Sequence, residues 1–109
     1  MSVSPRDPHA IKAMSPDRLV AEFRPLVGSI VTKLRRELRI RVSIEDLEAY
    51  AYEGLLDAQT RFDPETGTYF STYAYYRIRG SVLDGCRKEG WLGRSQDYRR
   101  ARGMGELLE

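Results

Sequence analysis

The sequence predicts an all-α fold: a compact bundle of three to five helices behind a flexible N-terminal leader at residues 1–15. Three observations predict it. Apolar residues recur at intervals of three and four through three long segments, the period of helices buried along one side. A Ser or Thr stands near the start of each segment, where a helix needs a cap. Alternation of apolar and polar residues, the mark of a half-buried strand, is found nowhere, nor is an internal repeat. With 109 residues and 41% hydrophobic content, the chain suits one small domain with one core.

The leader is read from Ser4-Pro5, Asp7-Pro8 and small polar neighbours, which are turn formers. The first long helix opens on Ser15-Pro16-Asp17, with Ser15 as N-cap, Pro16 at the first helical position and Asp17 in the positive first turn. Leu19, Val20, Phe23, Val27, Ile30, Val31, Leu34 and Leu38 follow on one side. Pro25 falls inside this pattern and should kink or split the helix, because it lacks an N–H and crowds the turn before it. Arg24, Lys33, Arg35, Arg36 and Glu37 lie on the other, solvent-facing side.

The second helix opens on Ser43-Ile44-Glu45-Asp46, which resembles a capping box, and runs to about Arg61. Ile44, Leu47, Ala51, Leu55, Ala58 and Phe62 share its apolar side, while Asp46, Tyr50, Glu53 and Asp57 cluster opposite. That acidic stripe is either an ordinary solvated face or a dock for a basic partner.

Asp63-Pro64-Glu65-Thr66-Gly67 is a turn. A third helix starts near Ser71 or Thr72 and runs to about Lys88. Ala74, Tyr75, Ile78, Ser81, Val82 and Gly85 form its buried side; Tyr73, Tyr76, Gly80, Leu83 and Arg87 share the other. Gly80 inside a helix costs about 1 kcal/mol relative to Ala, so either a ligand or a second helix approaches closely there. Gly90 to Ser95 is a break, after which Ser95 caps a last basic helix through Tyr98, Arg99, Arg100 and Arg102.

Net charge is only +2, but it is polarised. Residues 77–102 hold eight basic and three acidic side chains, which leaves the remainder net acidic by three. On charge alone, ordinary solvated helix faces explain this better than a basic face for nucleic acid does. The run Tyr69, Phe70, Tyr73, Tyr75, Tyr76, Arg77, Arg79 narrows the choice. Aromatic faces stack on unpaired bases and guanidinium groups neutralise phosphates, and a protein that handles a single strand uses both. Tyr75 reads as core on its helical phase; Tyr69 fits either role.

Enzyme chemistry finds no support. The sequence holds no Gly-rich phosphate loop, no paired metal-binding histidines and no nucleophile–base set. Asp46, Glu53 and Asp57 are the most that a metal site would have, and exposed acidic stripes are far more often solvated. No cofactor is expected. Cys86 is the only cysteine, so no disulfide forms within the chain, and His9 in the leader receives no role. No apolar run approaches a signal core or a membrane span, which predicts a cytoplasmic protein without membrane contact.

Asp46-Leu47, Gly54-Leu55-Leu56-Asp57-Ala58, Arg61-Phe62-Asp63-Pro64, Gly67, Phe70-Ser71-Thr72-Tyr73-Ala74, Arg77-Ile78-Arg79-Gly80 and Leu83-Asp84, in that order, resemble the second conserved region of bacterial RNA polymerase sigma factors of the sigma-70 family. Arg77-Ile78-Arg79-Gly80, Leu83-Asp84 and the later Trp91 and Arg94-Ser95 are most similar to the flagellar and sporulation branch. The resemblance spans about residues 18–95, within a helical domain at 16–95, and residues 96–109 would be a basic extension toward the next sigma region. It implies an all-helical module with two partners, core RNA polymerase and promoter DNA. Asp46, Ala49, Tyr50, Tyr52, Glu53 and Leu56 match positions that contact the β′ clamp helices. Phe62, Asp63, Tyr73 and Tyr76 match the pocket for a flipped adenine of the −10 non-template strand. Arg77, Arg79, Arg87 and Lys88 would hold phosphates, and Gly80, Leu83 and Asp84 would lie along the duplex side. An anti-sigma factor is a further partner the resemblance allows.

Two departures qualify this. The family often has Gln and Glu or another small residue where this chain has Ala49 and Tyr50, and primary members have two tryptophans where it has Tyr76-Arg77. An alternative sigma factor with a narrow promoter set is expected. A domain for the −35 element has no room here, so the reading favours an excised fragment over a natural one-domain protein. The competing function is a sigma-like interaction module that binds polymerase or an anti-sigma factor without reading DNA.

Overall fold

The computed structural model describes residues 7–92, and among them every regular element is helical. In chain order these are α1 (Pro8–Ala13), α2 (Pro16–Leu38), α3 (Ile44–Arg61), a 3-10 turn (Pro64–Thr66) and α4 (Phe70–Glu89). The last basic helix expected after Ser95 lies outside the described residues.

The caps behave as their chemistry dictates. The Ser15 side chain accepts from the Arg18 N–H at 3.2 Å, and Ser43 accepts from the Asp46 N–H at 3.2 Å. Each satisfies one of the orphan donors of its helix's first turn. At the other ends, Arg39 and Gly90 close α2 and α4 in the left-handed region, with φ of 55° and 73°.

Several expectations need correction here. The loose leader is, from Asp7 onward, a docked helix. Asp7 caps α1 through the His9 and Ala10 N–H groups, and Pro8 supplies a preset φ at the first position. Six residues cannot hold a helix alone, and α3 stabilises this one: Gln59 Nε2 donates to the carbonyls of Ile11 and Met14 at 2.8 and 2.9 Å. In return Lys12 Nζ donates to Gln59 and Thr60 carbonyls at 2.9 and 2.8 Å, a cation at the negative end of α3. Ile11 is fully buried as a result.

Pro25 does not split α2, which is one 23-residue helix. Pro25 and Ala21 are both exposed, so the carbonyl that Pro25 leaves without a helical donor is on the wet side. Arg35, placed with the solvent face, is half-buried instead, because its Nε donates to the Val42 carbonyl at 2.7 Å and ties down the α2–α3 connection.

The core is the apolar stripe of α2 (Leu19, Phe23, Val27, Ile30, Val31, Leu34, Leu38) against Leu47, Ala51, Leu55 and Ala58 of α3 and Ala74, Ile78, Val82 and Cys86 of α4. Because α4 packs against both α2 and α3, its buried arc is wider than a one-sided pattern suggests. Phe70, Leu83 and Arg79 are buried along with the expected residues. Tyr75, expected in the core, is only half-buried, its ring set edge-on to Tyr76.

Candidate functional site

The chemistry-bearing side chains gather along the seam between α3 and α4, which run antiparallel. Tyr50 faces Gly85, Gly54 faces Ser81 and Ile78, Asp57 faces Arg77, and Phe62 faces Phe70. Ser81 Oγ donates to the Tyr50 carbonyl at 2.8 Å across the seam. Two glycines permit this approach. A Cβ on Gly54 would stand 2.7 Å from the Ser81 Cβ, and one on Gly85 would enter the Tyr50 ring. Gly80 is different: a Cβ there would meet nothing within 4 Å, so packing between helices is not what excludes a side chain.

On the outside of the seam lies a groove of about 440 Å³, lined by Tyr50, Glu53, Gly54, Asp57, Tyr76, Arg77, Gly80, Ser81, Asp84, Gly85 and Lys88. A second, shallower depression of about 540 Å³ wraps the end of α4 and adds Asp46, Ala49, Glu89 and Trp91. The first groove carries Glu53, Asp57 and Asp84 against Arg77 and Lys88, so it is mixed in charge rather than basic.

Of the residues matched to polymerase contacts, Asp46, Ala49 and Glu53 are exposed, while Tyr50, Tyr52 and Leu56 are half-buried. Tyr50 is engaged within the molecule. Its ring covers Gly85 and meets Trp91 edge-on with centroids 5.9 Å apart, and its hydroxyl donates to Glu89 Oε1 at 3.0 Å. That hydrogen bond to a carboxylate raises the phenol's pKa above its ordinary value. The Tyr52 hydroxyl is turned inward and has no hydrogen-bond partner among the described residues.

The residues matched to DNA contacts divide. Tyr73 and Tyr76 are half-exposed, and Asp63, Arg77, Asp84, Arg87 and Lys88 are exposed. Asp63 caps the 3-10 turn by accepting from the Glu65 N–H at 2.9 Å. Asp84 lies 3.9 Å from Arg87 along the same helix. Phe62, Arg79 and Leu83 do not reach the surface as the matched roles require. Phe62 is 4% exposed, wedged edge-on against Phe70 at 5.1 Å, and it backs the Tyr73 ring at 5.9 Å and 35°. It supports Tyr73 rather than presenting a face of its own. Leu83 and Arg79 are 2% and 9% exposed, inside the wide buried arc of α4.

Tyr76, Arg77, Gly80, Asp84 and Lys88 share one groove with Tyr50 and Glu53, so the two predicted contact sets adjoin. Arg77 pairs with Asp57, whose carboxylate also accepts from Arg61 Nε at 3.0 and 3.1 Å. The two guanidinium groups hold the Asp57 carboxyl below its ordinary pKa. Sequence reasoning missed this bridge. Asp57 and Arg61 showed the usual four-residue helical spacing, but Arg77 joins them only once the pairing of α3 with α4 is known.

Cys86 is fully buried, and burial pushes its thiol up to about 11. It is an inert core residue. Among the described residues no three His, Cys, Asp or Glu side chains converge as a metal site, and no helix is long and apolar enough to cross a membrane.

Comparison with known proteins adds an independent line. The family model described as Sigma-70 region 2 matches residues 19–92. The RNA polymerase sigma-D factor of Bacillus subtilis is 42% identical over 79 residues, covering 72% of this chain and 31% of its own length. The RNA polymerase sigma factor FliA of Pseudomonas aeruginosa is 41% identical over 81 residues, covering 74% of this chain and 33% of its own. FliA of Escherichia coli K12 is 39% identical over 82 residues, 75% and 34% respectively. The chain thus spans about a third of the length of these relatives. No solved structure matches it.

Proposed function

The chain belongs to the sigma-70 family, as its region 2 and close to the flagellar-type sigma factors, and on that premise we propose that it serves transcription initiation by holding core RNA polymerase and a melted promoter strand along one seam. The exposed acids Asp46 and Glu53 of α3, with Ala49 beside them, dock the β′ clamp helices. Tyr73 and Tyr76 of α4 receive unpaired bases of the −10 non-template strand, with Arg87 and Lys88 near its phosphates.

One observation carries this reading. Tyr73 rests on a buried wall, Phe62 on Phe70 on Phe23, and is itself only half-buried, one helical turn before Tyr76. A ring braced from behind is prepared to stack, because little further freedom is lost on binding. Extruding a base costs a few kcal/mol, and each aromatic stack returns roughly 1–3 kcal/mol.

The test is binding of single-stranded promoter DNA by the chain assembled with core polymerase. Tyr73→Ala and Tyr76→Ala should each lower affinity by roughly five- to a hundredfold, and charge reversal at Asp46 and Glu53 should release the chain from β′. Unchanged affinity in both tyrosine variants would end the DNA half of the proposal.

The interaction-module reading, without DNA recognition, is favoured by one specific finding. Arg77 is paired with Asp57, Arg87 with Asp84, and Arg79 is buried, so three of the four cations assigned to phosphates are engaged within the fold. It predicts that charge reversal at Asp46 and Glu53 abolishes partner binding while the tyrosine variants behave as wild type.

A further inference from the structure

The long helices end in two ways. α2 and α4 close on a residue in the left-handed region, Arg39 and Gly90, whose N–H turns back to carbonyls of the last turn. α3 has no such closure. Phe62, which follows it, is extended, with φ −66° and ψ 130°, and its N–H reaches the Ala58 carbonyl. Asp63 is extended as well, the conformation that a following proline favours. The chain therefore leaves α3 without folding back over its end. The carbonyls of Gln59 and Thr60 accept from Lys12 Nζ, a side chain 47 and 48 residues earlier. A cation from α1 stands where a left-handed residue would otherwise close the helix.

Helix α1 also grips the chain beyond this end. His9 Nε2 lies 3.1 Å from Glu65 Oε1 in the 3-10 turn. Phe62 and Asp63 thus sit between two points that α1 holds, and α1 is itself anchored by buried Ala10, Ile11 and Met14. Phe62 is the ring on which Tyr73 leans, with centroids 5.9 Å apart. A left-handed residue at position 62 would turn the backbone back and carry this ring off its seat on Phe70. The remote lysine caps the helix and leaves the ring in place. An uncapped helix end frays over its last turn, and Phe62 comes next in the chain. Opening of that turn would take away the wall behind Tyr73. Apparent affinity falls with the fraction of molecules whose site is formed.

We propose that Lys12 is a positioning residue for strand binding. It caps α3 from outside, so that Phe62, and through it the Tyr73 ring, are in place before an unpaired base arrives. This rests on the reading that Tyr73 stacks on a promoter base.

The experiment uses the chain assembled with core polymerase and a fluorescein-labelled single-stranded deoxyoligonucleotide selected by the wild type from a random pool. Lys12 is exposed, so Lys12→Met keeps the stem and the fold while it removes the cap. It should weaken DNA binding roughly three- to tenfold. Lys12→Arg, which keeps charge and donors, should bind within about twofold of wild type. Neither should alter affinity for the β′ clamp helices. In a Tyr73→Ala background Lys12→Met should cause no further loss, because no ring is left to position. Amide exchange at Phe62 in the chain itself should quicken several-fold in Lys12→Met. Faster exchange with unchanged DNA binding would make Lys12 a stabilising cap only and overturn the inference, provided that Tyr73→Ala binds more weakly. A loss of equal size with and without the Tyr73 ring would mean that Lys12 meets the strand directly, and also overturns it. So does an equal loss of β′ affinity, which marks a general disturbance of the fold. Wild-type DNA binding by both Lys12→Met and Tyr73→Ala overturns the inference together with the reading beneath it.

Discussion

The two ends of the α3–α4 seam use aromatic rings in opposite ways. Where α3 begins, Tyr50 lies on bare backbone at Gly85, braced by Trp91 and Glu89. Where α3 stops, Phe62 and Phe70 fill the space between the helices, and the half-buried Tyr73 leans on Phe62. The difference is made by the opposing helix. At one end a ring covers bare backbone, and at the other the two helices meet ring to ring. Tyrosine content alone says neither.

The largest expected effect lies at Gly54, in the closed half. A Cβ there would stand 3.0 Å from the Arg77 carbonyl oxygen and 3.1 Å from the Ile78 Cα, and backbone cannot move aside without parting the helices. Overpacking of this kind costs up to about 3 kcal/mol, offset by the helix propensity of Ala worth about 1 kcal/mol. Gly54→Ala should therefore lose about 2 kcal/mol, read as a lower urea midpoint. Gly85→Ala should lose less, about 1 kcal/mol, because the half-buried Tyr50 ring can swing away. The same substitution in a Tyr50→Ala background should be neutral or stabilising. An equal loss with and without the ring would mean that Tyr50 does not seat on Gly85, and the contrast between the two ends would fail.

Gly80 sharpens the contrast from the open side. With no atom within 4 Å of an added Cβ, Gly80→Ala should raise stability by about 1 kcal/mol. If a strand passes over this glycine, the same variant binds single-stranded DNA more weakly while it unfolds at higher urea. A stabilised variant with unchanged binding would remove Gly80 from the interface.

These glycines show how far the sequence could be read. The stripe Leu47, Ala51, Leu55, Ala58 was legible because a helix packed on one side must repeat its apolar residues every three to four positions. The same logic misplaced Leu83, since α4 packs on two neighbours and a single-face pattern no longer applies. Gly80 fitted a close ligand and helix packing equally well, and it is Gly54 and Gly85 that fill the packing role. Which glycine meets which residue depends on the register between two helices, and periodicity within one helix carries no information on register. Helix α1 was missed for a related reason: Asp7-Pro8 has the chemistry of a helix start, but six residues become helical only through bonds to Gln59 and Thr60, far along the chain. Of the candidate site, the half-exposed tyrosines were legible through the family motif, whereas the Asp57 bridge needed the fold.

The smallest expected effect concerns that bridge, which crosses the seam between its two ends. Hydrogen bonds from Arg77 and Arg61 hold the Asp57 carboxyl below its ordinary value, so folding favours its charged form. The contribution to stability is then complete above the unfolded-state carboxylate value, about 3.9, and fades as pH falls through the lower native value. Asp57→Asn should cost under about 1 kcal/mol at neutral pH, because the partners are largely solvated. The gap between wild type and variant should stay constant down to about pH 5 and close below about pH 4. A gap that persists in acid would show that packing, not charge, makes the difference. Binding separates the two ends once more. Asp57→Asn releases Arg77 beside Tyr76, so affinity for single-stranded DNA should rise and its salt dependence steepen by about one phosphate contact. Release from the β′ clamp helices, docked at the exposed acids of α3, should be unaffected. A variant that loses DNA affinity instead would make Asp57 a positioning residue for Arg77, holding the guanidinium where the strand needs it.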